Sequence, residues 1–130
     1  MKVLFPIVTL TLLAPGLAAA DPTLECNEGM SSQVEIADCM AATEARVDAA
    51  IETALSFAFA SATDLDEVTG REVALPALEA AQAAWVAYRD AQCEFVGATF
   101  GGGSGTGIAI RGCRIELGRA RVTELMDYVQ

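Results

Sequence analysis

Apolar residues recur at helical intervals along most of this chain. Ile36, Met40, Val47, Ile51, Leu55 and Phe59 lie four or seven positions apart, which places them on one face of a helix. The segment Ser32-Gln33-Val34-Glu35 matches a capping box, a hydroxyl followed three residues later by a carboxylate. Together they predict a first helix over residues 32 to about 61. Thr63-Asp64 can cap a further helical segment, punctuated by Gly70 and Pro76, so the main second helix is predicted over 76–96. Within it Trp85, Tyr88, Gln92 and Phe95 share one face, expected to point into the core, while Gln82, Arg89 and Cys93 share the adjacent one. A third helix is predicted from near Ile110 through Leu117, Val122, Leu125 and Val129.

Residues 21–31 read as an extended arm with a turn at Asn27-Glu28-Gly29, and Gly101-Gly102-Gly103-Ser104-Gly105-Thr106-Gly107 as a glycine-rich loop before the last helix. No stretch alternates with a period of two. The predicted fold is all-α, a small bundle of about three helices.

The first 20 residues change the picture of where this bundle works. Lys2, the apolar stretch from Val3 to Leu13 and Ala18-Ala19-Ala20 form the three parts of a secretory signal. Pro6 and Pro15 interrupt it, and it falls short of the ~20 apolar residues a membrane span needs. No cysteine stands at the cleavage point to take a lipid. Residues 21–130 are therefore expected as a single exported domain, periplasmic or secreted, with no stable membrane anchor after cleavage.

Without Lys2 the chain carries seven arginines, no lysine and no histidine against 18 acidic residues, a formal charge of −11. That charge argues against nucleic acid and anionic lipid, both of which demand positive charge. It suits a basic partner through electrostatic steering, or simply solubility. Four cysteines in an exported chain of this size read as two disulfides. Of the three connectivities, short-loop closure favours Cys26–Cys39 with Cys93–Cys113. Structural zinc is disfavoured, because the cysteines lack paired short spacing and histidine is missing.

Most candidate chemistry fails on composition. Histidine-assisted serine or cysteine nucleophiles and serine–lysine dyads lack their bases. The glycine stretch lacks the Gly-Lys-Ser/Thr of a phosphate-binding loop, and Ile108 stands where a dinucleotide fingerprint needs glycine. Asp64-Leu65-Asp66-Glu67 starts like a calcium loop, but Val68, Thr69 and Leu75 occupy ligand or turn positions. A carboxylate-dependent hydrolase survives only as a remote alternative, with no carboxylate pair standing out. The chain reads as a binding protein rather than an enzyme, with no metal and no cofactor.

Two features are left as candidate partner surfaces. Glu44, Asp48 and Glu52 form an acidic row on the first helix with little compensation, either a solvated face or a docking surface. Gly103, Ser104 and Thr106 sit in a loop whose base a Cys93–Cys113 disulfide would staple, either a connector or a binding loop. Arg89 is expected to tie helices together by pairing with Glu44, Asp48 or Glu116.

The run from Ala81 to Cys93, with Gln82, Trp85, Tyr88, Arg89, Asp90 and Cys93, together with Cys26, Cys39, Cys113, Leu117, Arg121 and Leu125, resembles the lysozyme inhibitor LprI-like, N-terminal domain family. Two departures from the family's pattern stand out: Val47-Asp48 then Ile51 replaces Leu-Asn and an aromatic, and Gly118 replaces a threonine. The resemblance implies a small exported helical domain whose motif residues are mainly structural. It also implies inhibition of a lysozyme, a basic one on the charge argument, by stoichiometric binding. The alternative is an envelope interaction or structural module without inhibitory activity.

Overall fold

The computed structural model describes residues 21–129, so the secretory signal expected over residues 1–20 lies outside the described residues. Four helices follow one another: α1 (Pro22–Asn27), α2 (Gln33–Thr69), α3 (Ala74–Ala98) and α4 (Thr106–Asp127). Among the described residues there is no strand. The chain runs up through α2, down through α3 and up again through α4, so α2 and α4 lie side by side in the same direction.

The predicted extended arm is instead helical at its start. Asp21 caps α1 by accepting the Thr23 N–H at 2.8 Å, and Pro22 occupies the first turn, where its missing N–H does no harm. Six residues are too few to show a periodicity. Tertiary contacts hold them: Pro22 and Cys26 are buried, Cys26 is disulfide-bonded to Cys39, and Glu25 makes a two-pronged ion pair with Arg119 of α4 at 2.7 and 2.9 Å.

At α2 the Ser32 hydroxyl accepts the Glu35 N–H, and the Glu35 carboxylate accepts from Ser31 N–H and both serine hydroxyls. These donors, the Ser31 N–H first, hold the Glu35 carboxyl below its ordinary value. The helix then continues for 37 residues, about 55 Å. It does not restart at Thr63-Asp64: the Thr63 hydroxyl bonds back to the Phe59 carbonyl at 2.9 Å, and no glycine or proline intervenes before Gly70. Gly70, at φ +64°, ends the helix in the left-handed conformation that side chains resist.

The hairpin into α3 hangs on Asp66. Its carboxylate accepts the N–H groups of Leu75, Ala74 and Val73 at 2.8–3.1 Å, capping α3 from the end of α2. Those bonds, Leu75's first, hold the Asp66 carboxyl below its ordinary value. Helix α3 thus starts two residues before Pro76, which fits within its first turn. Helix α4 starts four residues before Ile110, inside the glycine-rich stretch. The connection is therefore 99–105, turning where Gly101 and Gly102 adopt positive φ.

The core lies mainly between α2 and α4. Ile36, Met40, Val47, Ile51, Ala54 and Ala58 of α2 meet Ile115 and Leu125 of α4. Gly112 and Gly118 belong to the same buried face of α4, where they let the two backbones approach. A Cβ on Gly118 would sit 2.5 Å from Val47 Cγ1 and 3.2 Å from Ile51 Cδ1. The disulfides are Cys26–Cys39 and Cys93–Cys113, each worth about 3 kcal/mol in the chain-entropy account.

Two predictions concern this frame. Gly118→Ala overpacks the α2–α4 contact and is expected to lose about 1–3 kcal/mol in chemical denaturation, whereas Gly107→Ala, with open space around its Cβ, gains up to ~1 kcal/mol from helix propensity. Asp66, Glu35 and Glu25 all have depressed carboxyl pKa values, so each binds protons more weakly folded than unfolded. Their stabilisation is present at neutral pH and is lost as pH falls from the ordinary values of 3.8–4.5 through the lower folded ones. The melting temperature is expected to drop through that window, and Asp66→Ala to lower it at pH 7 while flattening the acid response.

Candidate protein-docking surface

Helix α3 faces its neighbours with an unexpected set of side chains. Leu78, Gln82, Trp85, Arg89 and Cys93 recur at three- and four-residue steps and are all wholly or partly buried. Tyr88 and Phe95, predicted to be in the core, are 54% and 64% exposed. The expectation that the aromatics face inward holds in part for Trp85 and fails for these two. Hydrophobicity alone favours the aromatic side. The seam wins because its two arginine partners can be neutralised and can use the Trp85 ring.

Arg89 and Arg121 stand over the indole, with guanidinium carbons 5.0 and 5.7 Å from the ring centroid. Arg89 donates to Asp48 of α2 at 2.8 Å. Arg121, 5% exposed, donates to Gln82 Oε1 at 3.1 Å and to Glu124 at 2.8 Å, leaving Nη2 buried without a partner. The motif thus joins three helices: Gln82, Trp85 and Arg89 from α3, Asp48 from α2 and Arg121 from α4. Glu116 is exposed and does not partner Arg89.

The acidic row is largely compensated, contrary to expectation. Glu44, with a side chain 12% exposed, pairs with Arg111 and lies 3.6 Å from Arg114. Arg114 also reaches Asp90 and Glu94 of α3 at 3.7 and 3.6 Å. With Asp48 held by Arg89, Glu52 is the exposed member of the row. The sequence missed this because the seven arginines are scattered along the chain, and four of those that pair come from α4.

What lies open is the outer side of α3 and the adjoining loop. Ala84, Tyr88, Ala91, Phe95 and Ala98 are exposed at helical steps along one face, and Phe100, in the connection that follows, is 53% exposed. Phe100 lies against Gly105, next to the exposed Gly103 and Ser104, and Thr106 opens α4 half-buried. The Cys93–Cys113 disulfide, buried at Cys93 and half-buried at Cys113, fixes the base of this loop. The face is apolar, contiguous with a stapled turn, and flanked by Asp90 and Glu94. Its geometry suits a protein partner rather than chemistry on a small substrate. Among the described residues no cluster of histidine, cysteine or carboxylate groups is placed to hold a metal, and no helix is long and apolar enough to cross a membrane.

Arg89→Ala is expected to cost about 1–3 kcal/mol. This falls below the full penalty for breaking a buried pair because Asp48 is 44% exposed and can rehydrate. Arg89→Lys, which lacks the planar group over Trp85, restores only part of it. Thermal denaturation followed by circular dichroism measures both.

The chain is similar to an uncharacterised protein of Rhizobium meliloti (strain 1021), 31% identical over 136 residues that cover 100% of this chain and 97% of the relative. No solved structure matches. The family model for lysozyme inhibitor LprI matches residues 25–125, from the α1 carboxylate that holds Arg119 to the last buried leucine of α4. The chain belongs to the lysozyme inhibitor LprI family.

Proposed function

We propose that this chain is an exported inhibitor that binds a basic lysozyme stoichiometrically, without catalysis of its own. The observation that carries the reading is the uncovered apolar face of α3, Tyr88, Phe95 and Phe100, on a chain with formal charge −11 beyond its secretory segment. Self-association through that face would bring two strongly acidic chains together, whereas a basic partner is attracted to it. Family membership supports lysozyme as that partner. Residues 1–20 carry the chain across the membrane and are removed, leaving 21–130 as one domain in the periplasm or outside the cell.

In this reading the outer face of α3 provides aromatic anchors of the kind that dominate interfaces. Gly103, Ser104 and Thr106 supply the adaptable edge, and Glu52 with the flanking acids steers the approach. Asp48 holds Arg89, which sets the orientation of α3, and Glu44 holds Arg111 and Arg114 of α4.

The test is a lysis assay in which the exported protein is titrated against several lysozyme classes on a cell-wall suspension. Saturable inhibition is expected with a 1:1 end point, weakened by salt and lost on disulfide reduction. Tyr88→Ala with Phe95→Ala is expected to raise Kd at least tenfold, ~1.4 kcal/mol, with the melting temperature unchanged. Absence of inhibition of any class at micromolar excess would instead favour the non-inhibitory envelope module.

A further inference from the structure

A second feature stands at the other end of the bundle from the glycine-rich loop. There α2, α3 and α4 splay around a cleft of about 520 Å³ that opens to solvent on one side. The cause is side-chain size. Ala58 and Ala62 of α2 face Ala77 and Ala81 of α3, at positions where leucines would close the space. The volume is in the range of small-molecule sites and takes one extended chain rather than a helix.

The charged groups around this cleft, Arg121, Glu124 and Asp64, sum to one negative charge. Arg121 lines it, but Glu124, also lining it, sits 2.8 Å from the guanidinium and cancels its charge, while Gln82 takes the Nε–H. Asp64 is exposed on α2 with no arginine paired to it, and the Tyr128 ring completes the lining on α4. The uncancelled charge is therefore Asp64's, in the field of a strongly acidic chain. An anionic head group would be repelled there, and a cationic one attracted. Apolar walls with a carboxylate at their edge specify a molecule with an alkyl chain and a positive head.

We propose that this cleft is a binding site for a monomeric cationic amphiphile, its chain against Ala58, Ala62, Ala77 and Ala81 and its head at Asp64. The site is separate from the outer face of α3 and does not depend on lysozyme binding.

Trp85 provides the readout, as the single tryptophan in the chain, stacked with Arg121 beside the cleft. The exported protein is titrated, below the micelle threshold, with dodecyltrimethylammonium, dodecyl maltoside and dodecyl sulfate. A saturable change in Trp85 emission is expected with the cationic probe, at least tenfold weaker with the uncharged one and absent with sulfate, while helical circular dichroism is retained. Asp64→Asn is expected to weaken the cationic probe threefold or more without affecting the maltoside. Ala77→Leu fills the cleft and is expected to abolish saturation; Ala81→Leu on the same wall serves if the first variant melts early. No saturation with the cationic probe, equal or tighter response to sulfate, loss of helicity on binding, or binding untouched in a folded leucine variant would each overturn the proposal. Pelleting with zwitterionic-lipid vesicles doped with a cationic lipid separates the monomer from a membrane surface, and co-sedimentation that depends on Asp64 would also count against it.

Discussion

A guanidinium group cannot leave water unless something replaces the hydration it loses. The architecture follows from meeting that constraint twice beside one indole. Asp48 answers Arg89 from α2, Gln82 and Glu124 answer Arg121 from α3 and α4, and Trp85 gives both a π face. These partners fix the rotation of α3 about its own axis. Once Gln82, Trp85 and Arg89 face inward, helical geometry sends Tyr88 and Phe95 outward. The exposed aromatic face is thus a by-product of satisfying two charges, and it is available for a partner without weakening the core.

The same geometry explains which parts of the molecule the sequence disclosed. The Ser32–Glu35 cap, the Ile36–Met40–Val47–Ile51 stripe and the disulfide pairing were legible because each depends on local spacing or short loops. Helix α1 was not, since six residues carry no periodicity and their order comes from Cys39 and Arg119, distant in sequence. The continuation of α2 past Thr63 was hidden by a residue type that caps helices and can equally bond back within one. The orientation of α3 was inverted because hydrophobic ranking places tyrosine and phenylalanine above arginine and glutamine, and only the tertiary partners reverse that order. The packing role of Gly112 and Gly118 was not legible either, because a glycine contributes closeness rather than apolar area.

The formal charge conceals a division of labour among the carboxylates. Glu25, Glu44, Asp48, Asp90, Glu94 and Glu124 pair with arginines, while Glu35 and Asp66 cap helices. The long-range field therefore comes from the carboxylates that no arginine offsets: Glu35 and Asp66, which stay ionised while capping, and Glu28, Asp38, Glu52, Glu67, Glu72 and Asp127, exposed and spread over the surface. Such a field speeds an encounter with a basic protein, whereas the apolar face decides whether the encounter lasts.

Both disulfides lie in one half of the bundle, where α1, the start of α2, the end of α3 and the start of α4 meet. The α2–α3 hairpin and the end of α4 carry no covalent cross-link, and their walls are largely alanine. The molecule is thereby divided into a clamped half and a half free to breathe. Opening fluctuations are expected to concentrate in the second, where only packing and hydrogen bonds hold the helices together. The placement of four sulfur atoms thus gives the bundle one covalently cross-linked end and one held by non-covalent contacts alone.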